Sequence, residues 1–114
     1  MKKLEIIIRP ESLEDLKNIL NSHTVGGMTV ASVMGCGQQK GDVHSEFKGL
    51  QVMNINLLPK IMVIAVVQDE KVEDLLTRIQ ETISSGRVGD GKVFIYDVVD
   101  AMRIRTGERG AKVV

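Results

Sequence analysis

Apolar positions along this chain alternate between two periods, and the switches mark out its elements. Leu4-Glu5-Ile6-Ile7-Ile8 is rich in β-branched residues and predicts a strand that Pro10 closes. Leu13, Leu16, Ile19 and Leu20 then follow a helical period, with Ser12 placed to cap the helix and Asp15 as the acid of a capping box. Gly26-Gly27 breaks the pattern, and Met28 to Met34 alternates loosely as a second strand. After Pro59 the run Ile61 to Val67 predicts a third strand. Asp69 can cap a second helix carrying Val72, Leu75, Leu76, Ile79 and Ile83, with Gly86 as its stop. Val93 to Val98 predicts a fourth strand, and Met102 to Arg105 a short extra one.

The order is β-α-β, a long loop, then β-α-β. The halves resemble each other: Ile6-Ile7-Ile8 and Leu13-Glu14-Asp15-Leu16 match Ala65-Val66-Val67 and Val72-Glu73-Asp74-Leu75 at one constant offset. That pattern fits a double split βαβ unit, the α+β ferredoxin-like arrangement, with both helices on one face of an antiparallel sheet. The third strand is apolar at every position, which predicts a sheet covered on both faces. The helices cover one face; a second copy of the chain most simply covers the other, so an oligomer is expected.

The segment from Gly37 to Leu58 shows no period. Loops of this length in compact domains are usually functional or disordered. Its polar residues predict solvation, while Leu50, Val52, Met53, Ile55, Leu57 and Leu58 suit docking onto a partner.

Composition narrows the function. The chain has 114 residues, the size of a single domain, with 15 basic and 15 acidic side chains. Zero net charge gives no global footprint for nucleic acid, and Phe47, Phe94 and Tyr96 are too few aromatics for a base-stacking platform. The balance hides an asymmetry. Asp69 to Glu81 carries five acids and two bases, whereas Asp100 to Val114 carries four bases and two acids. One cysteine, Cys36, excludes an intrachain disulfide and a multi-cysteine zinc site, and cytoplasmic residence is expected. The charged N-terminus Met1-Lys2-Lys3-Leu4-Glu5 is unlike a signal peptide, and the longest apolar run is far short of the ~20 residues a spanning helix needs. A chain this small has little room for a deep private site, so a subunit boundary is the expected place for a sizeable ligand.

Three constellations carry candidate chemistry. In Gly86-Arg87-Val88-Gly89-Asp90-Gly91-Lys92, three glycines permit close backbone approach and offer N–H groups to an anion, with Lys92 adding a charge. The bland reading is a tight connection with a surface lysine. Arg103 and Arg105, two apart, share one side of an extended segment and, with Arg109, make a fork for phosphate or carboxylate without nearby acids at that spacing; the bland reading is a solvated basic end. Gly35-Cys36-Gly37-Gln38-Gln39-Lys40-Gly41 offers backbone approach and glutamine amides, with Lys60 able to face it, or is simply a hinge. His23 and His44 lack metal-ligand spacing and are expected on the solvated surface; Cys36 is expected to be a buried small residue rather than a nucleophile.

These residues resemble the PII signal-transduction (nitrogen regulatory P-II) family over essentially the whole chain. Arg9-Pro10 resembles the turn after its opening strand, Ser85 to Phe94 its glycine-loop signature, and Arg103-Ile104-Arg105-Thr106-Gly107-Glu108 its closing motif. Gly35-x-Gly37-x-Gln39-Lys40-Gly41 and Leu58-Pro59-Lys60 add to the match.

The resemblance implies a single domain over 1–114, with a target-binding loop at 37–58 and a C-terminal loop at 103–114. It further implies a homotrimer of ferredoxin-like subunits that binds ATP or ADP between neighbours. The implied nucleotide residues are Ile7, Gly27, Met28, Thr29, Gly35, Gly37, Gln38, Val66, Val88, Gly89, Asp90, Gly91 and Lys92, with Arg103 and Arg105 contributed by the adjacent subunit. 2-Oxoglutarate, bound together with Mg-ATP, is implied at Arg9, Gln39, Lys40, Gly41 and Lys60, Gln39 also touching the metal. No catalytic residue is implied. The implied partners are the ammonium transporter at the membrane face, giving reversible association with the inner membrane, and nitrogen-metabolism enzymes or regulators.

Several positions depart from the family pattern. Phe47 and Val52 stand where many members carry loop tyrosines, so no tyrosine is available for uridylylation, and Ser45 is the remaining modification candidate. Gln38 replaces a usual arginine and Cys36 a common phenylalanine. Two alternatives share these anion-binding parts. One is a PII-like sensor of another small anion or nucleotide. The other is a phosphate-ester or acyl-phosphate hydrolase of the same fold, for which Asp90 is the one acid inside the glycine loop.

Overall fold

The computed structural model describes residues 1–36 and 57–114. Four strands and two longer helices run in the expected order: β1 (Lys2–Ile8), α1 (Leu13–Ser22), β2 (Thr29–Gly35), β3 (Leu58–Val67), α2 (Val72–Ile83) and β4 (Gly91–Asp97). The strands form one sheet in the order β2-β3-β1-β4 with every neighbouring pair antiparallel. This is the expected ferredoxin-like α+β arrangement.

The period of two in β1 sends Leu4, Ile6 and Ile8 to one face, and β3 sends Val63, Ala65 and Val67 to the same face. Leu16, Ile19 and Leu20 of α1 and Val72, Leu75 and Ile79 of α2 close over them in one core cluster. Fully burying a side chain such as Leu4, Leu16 or Leu75 contributes about 1.5–3 kcal/mol each, so this layer is the main source of stability. The other sheet face carries Ile7, Met62, Ile64 and Val66, all half-buried in the single chain. There Lys3 stands over the Tyr96 ring at 4.4 Å.

The register fixes two ends of the sheet. At one end Lys2 pairs with both Val67 and Asp97; at the other Ile8 pairs with both Ile61 and Gly91. Six strand steps of ~3.4 Å separate these ends by roughly 20 Å.

Some boundaries differ from expectation. Ser12 and Asp69 sit in short 3-10 turns, Pro10–Ser12 and Asp69–Lys71, and neither caps a helix with its side chain. The Asp69 carboxylate instead accepts from the chain's terminal amine at 2.9 Å. α2 stops at Ile83, and Gly86 lies beyond it in the following loop. β3 begins at Leu58, inside the segment expected to be loop. Met102 to Arg105 is no strand: Met102 makes one bridge to Arg109, and residues 104–106 turn back, with the Arg103 carbonyl accepting from Gly107 N–H at 2.8 Å. His23 is half-buried rather than solvated. Its ring nitrogens hydrogen-bond Asp74 at 2.7 Å and the Ile19 carbonyl at 2.8 Å, tying the end of α1 to α2. Cys36 is exposed, not buried, because the chain leaves the sheet at Gly35. His44 and the remainder of the 37–56 segment lie outside the described residues.

Candidate functional site

The loop between α2 and β4 is built around one carboxylate. Asp90 accepts from the Ser85 backbone N–H at 2.8 Å, from the Ser85 hydroxyl, and from Arg9 Nη1 at 2.7 Å. Arg9 Nη2 donates to the Val88 carbonyl at 2.8 Å, and Lys60 Nζ to the Gly89 carbonyl at 3.0 Å. Gly91 then enters β4 with φ +119°, its Cα packed on the Ile7 backbone so closely that no Cβ fits. The loop is thus fastened to the ends of β1 and β3 by cations, and to the sheet by glycine.

A cleft of about 590 Å³ opens beside it, within the range that holds small-molecule ligands. Ile7, Gly35 and Cys36 form one wall, Val88 to Lys92 the other, and Lys60 stands between them. The Gly35 Cα lies against the Lys60 stem, where an added Cβ would sit 3.2 Å from Cγ. Two lysines, an arginine and a glycine-rich backbone in one cleft suit a phosphorylated or carboxylated ligand.

The residues expected to bind ligand fall into separate groups. Ile7, Gly35, Lys60, Val88, Gly89, Asp90, Gly91 and Lys92 meet at this cleft. Arg9 stands behind the loop on Asp90. Gly27 and Met28 precede β2 on its side away from Gly35, toward the Lys2–Val67 end of the sheet, while Thr29 pairs with Ile64 in the middle of β3. Val66, opposite Lys3, lies at that far end too. So does the C-terminal segment: Val98 N–H donates to the Met1 carbonyl at 3.2 Å, and the Gln68 side chain to the Ala111 carbonyl at 3.4 Å. Gly37, Gln38, Gln39, Lys40, Gly41 and Ser45 lie outside the described residues.

The expected arginine fork is altered. Arg105 sits in a turn, so the alternation of an extended strand does not align it with Arg103. Arg103 has an acid partner, Glu108, at 3.1 Å, and Arg109 pairs with Asp100. Arg105 makes no hydrogen bond or ion pair with a described residue.

Arg87 and Phe94 line the cleft and were not among the expected contacts. A period of two from Lys92 places Phe94 on the same sheet face, a signal available in the sequence. Ser85 is the other omission, and its pairing with Asp90 leaves no local signature. Among the described residues no group of His, Cys, Asp and Glu could hold a metal ion.

The Asp90 carboxyl is held below the usual carboxylate range by the Ser85 hydroxyl, then the Ser85 N–H, then Arg9. A depressed folded value stabilises the loop at pH above the ordinary 3.8, and that stabilisation is lost as pH falls through the lower folded value. Asp90→Asn is therefore expected to denature at lower urea than the unaltered chain at neutral pH. The gap closes as pH falls below 3.8 and through the lower folded value. A gap of constant size across that range would contradict the assignment.

A profile of the family described as "Nitrogen regulatory protein P-II" matches residues 1–108. The chain is 46% identical over 109 residues to "Nitrogen regulatory protein P-II" of Pasteurella multocida, covering 95% of each chain. It is 41% identical over 115 residues to the protein of that name in Rhodospirillum rubrum, covering 100% of each. An archaeal protein, "Nitrogen regulatory protein P-II 1" of Methanothermobacter thermautotrophicus, is 44% identical over 110 residues, covering 96% of this chain and 94% of its own.

Proposed function

The chain belongs to the nitrogen regulatory protein P-II family, whose members are regulatory rather than enzymatic, and from that membership we propose that it reads adenine nucleotides and 2-oxoglutarate in clefts between the protomers of a homotrimer. The observation that carries this reading is the separation of the candidate ligand residues into two groups along one sheet. The loop half is Ile7, Gly35, Lys60 and Val88 to Lys92; the arginine half is Gly27, Met28, Thr29, Val66, Arg103 and Arg105. Val66 lies four strand steps, about 14 Å, along the sheet from the Ile7–Lys92 row, with the C-terminal segment beyond it, which favours a site completed by a second chain. A head-to-tail contact closing into a ring brings the loop half of one protomer to the arginine half of the next.

In that cleft the polyphosphate meets Lys92, the glycine-loop amides, Arg103 and Arg105. Lys60, at the cleft, is the proposed partner of the 2-oxoglutarate carboxylates, with Arg9, Gln39, Lys40 and Gly41 as the further proposed contacts. Mg²⁺, which takes oxygen ligands and commonly binds through substrate phosphates, would enter with the ATP phosphates, with Gln39 as its proposed side-chain ligand. Bound there, the ion would neutralise phosphate charge. Differences between ligands bias the conformations of the 37–58 segment, a population shift that target proteins read. An ammonium transporter and nitrogen-assimilation proteins are the proposed targets, with membrane association only through the transporter. No helix among the described residues is long and apolar enough to cross a membrane.

A hydrolase of the same fold has less support, since the carboxylate of Asp90 is already occupied by Ser85 and Arg9 and is poorly placed to act as a base. Calorimetric titration tests the reading. ATP is expected to bind, and 2-oxoglutarate to tighten Mg-ATP binding; absence of ATP binding with and without 2-oxoglutarate would end it.

A further inference from the structure

We propose that Arg9 has a role distinct from any contact with a carboxylate ligand: it is a positioning residue that sets the shape of the glycine loop, and so its affinity for a nucleoside diphosphate, through Asp90 and the Val88 carbonyl. The inference rests on the nucleotide reading above. Pro10 restricts the preceding residue to extended backbone, and Arg9 has φ −66° and ψ 147°, so its side chain leaves the end of β1 from a fixed base. Its guanidinium then makes two bonds to two points of the loop, an arrangement that fixes orientation as well as distance.

Asp90 is the node. The same carboxylate holds Ser85, where the chain has left α2, and Arg9, where it has left β1, and the loop is strung between them. Both partners of the ion pair are largely withdrawn from solvent, at 28% and 20% exposure. Apolar packing does little to hold the loop, since the Val88 side chain is 73% exposed. What holds residue 88 is its carbonyl, on Arg9. The next carbonyl, Gly89, is held by Lys60. In a trans peptide the N–H and C=O point opposite ways, so fixing these two carbonyls also fixes the N–H groups of Gly89 and Asp90. Those amides are the kind of donors a phosphate requires.

ADP binding without 2-oxoglutarate or magnesium separates this role from a carboxylate contact. Arg9→Gln is expected to weaken ADP about tenfold or more, the scale of a lost charge-assisted contact, with Arg9→Lys intermediate because it retains one donor to Asp90. Asp90→Asn is expected to weaken ADP similarly. The double variant is expected to be no worse than the weaker single one, because both changes open the same clamp. An ADP affinity of Arg9→Gln within about twofold of the unaltered chain, or losses that add in the double variant, would overturn the proposal. Trypsin cleavage at Arg87–Val88, followed by mass spectrometry, reads the loop without any ligand. Faster cleavage in all three single variants supports the clamp, and unchanged cleavage overturns it. Should the unaltered chain bind no ADP, the nucleotide reading fails while cleavage still decides whether Arg9 holds the loop.

Discussion

Gly91→Ala is expected to cost more stability than a methyl group added at Gly26, Gly27, Gly35, Gly86, Gly107 or Gly110. Gly91 sits at φ +119°, a conformation that an L side chain rarely adopts. Its Cβ would also overlap the Ile7 carbonyl oxygen and lie 3.0 Å from the Ile7 carbonyl carbon and 3.2 Å from Ile8 Cα. All three are backbone atoms of the strand to which Gly91 is paired, so no rotamer change relieves the clash. Relief requires β4 to part from β1 at the Ile8–Gly91 pair, next to the cleft. Backbone strain alone costs ~1–3 kcal/mol, so a total beyond about 2 kcal/mol is expected. For a domain of this size that corresponds to a fall in thermal midpoint of roughly 8 °C or more. Gly86→Ala is the control: it has φ +76° but open space around its Cβ, and loses only the conformational part. Differential scanning calorimetry ranks the two. A Gly91→Ala midpoint no lower than that of Gly86→Ala would contradict the close β1–β4 contact.

The second large effect is on ligand affinity. Arg105→Ala is expected to weaken ATP on the order of 10–100-fold, the equivalent of a charge-assisted hydrogen bond to phosphate. Arg105 makes no bond within the described chain, so its removal leaves the protomer's own contacts intact. Arg103→Ala is expected to cost less, because Arg103 must first give up Glu108, to which it is bonded at 3.1 Å. Glu108→Gln would then tighten ATP slightly by freeing Arg103. These are affinity changes with little change in stability, since the Arg103–Glu108 pair is solvent-exposed and contributes little. Equal ATP affinity in Arg105→Ala and the unaltered chain would remove Arg105 from the site.

What could be read from the chain alone follows from how local each feature is. β1, α1 and α2 were legible because the same residues that set the period, Leu4 and Ile6 or Leu75 and Ile79, are also the buried ones. The start of β3 was not, because Pro59 argues against a strand. It is tolerated because β1 ends at the Ile8–Ile61 pair, so residues 58–60 have only β2 as neighbour and the missing N–H can face the open side. The extra strand at Met102 failed for a different reason: alternation at Arg103 and Arg105 is too short to outweigh a turn closed by backbone hydrogen bonds. The glycine loop itself was visible in its composition. The clamp behind it was not, because Arg9 and Asp90 are 81 residues apart in the chain, and only the sheet register brings them together. The same register separates the ligand residues into two groups along the sheet, a fact no spacing in the sequence records.

Mixed trimers read out whether one cleft takes its loop half and its arginine half from different protomers. Lys92→Ala lies in the loop half and the double variant Arg103→Ala, Arg105→Ala in the arginine half. Each variant alone is expected to bind ATP far more weakly than the unaltered chain. Co-refolded together in equal amounts, they assort so that about a quarter of the clefts pair an intact loop half with an intact arginine half from its neighbour. Tight ATP binding is expected to return at about that stoichiometry. Mixtures that bind no better than the separate variants would contradict a site shared between protomers.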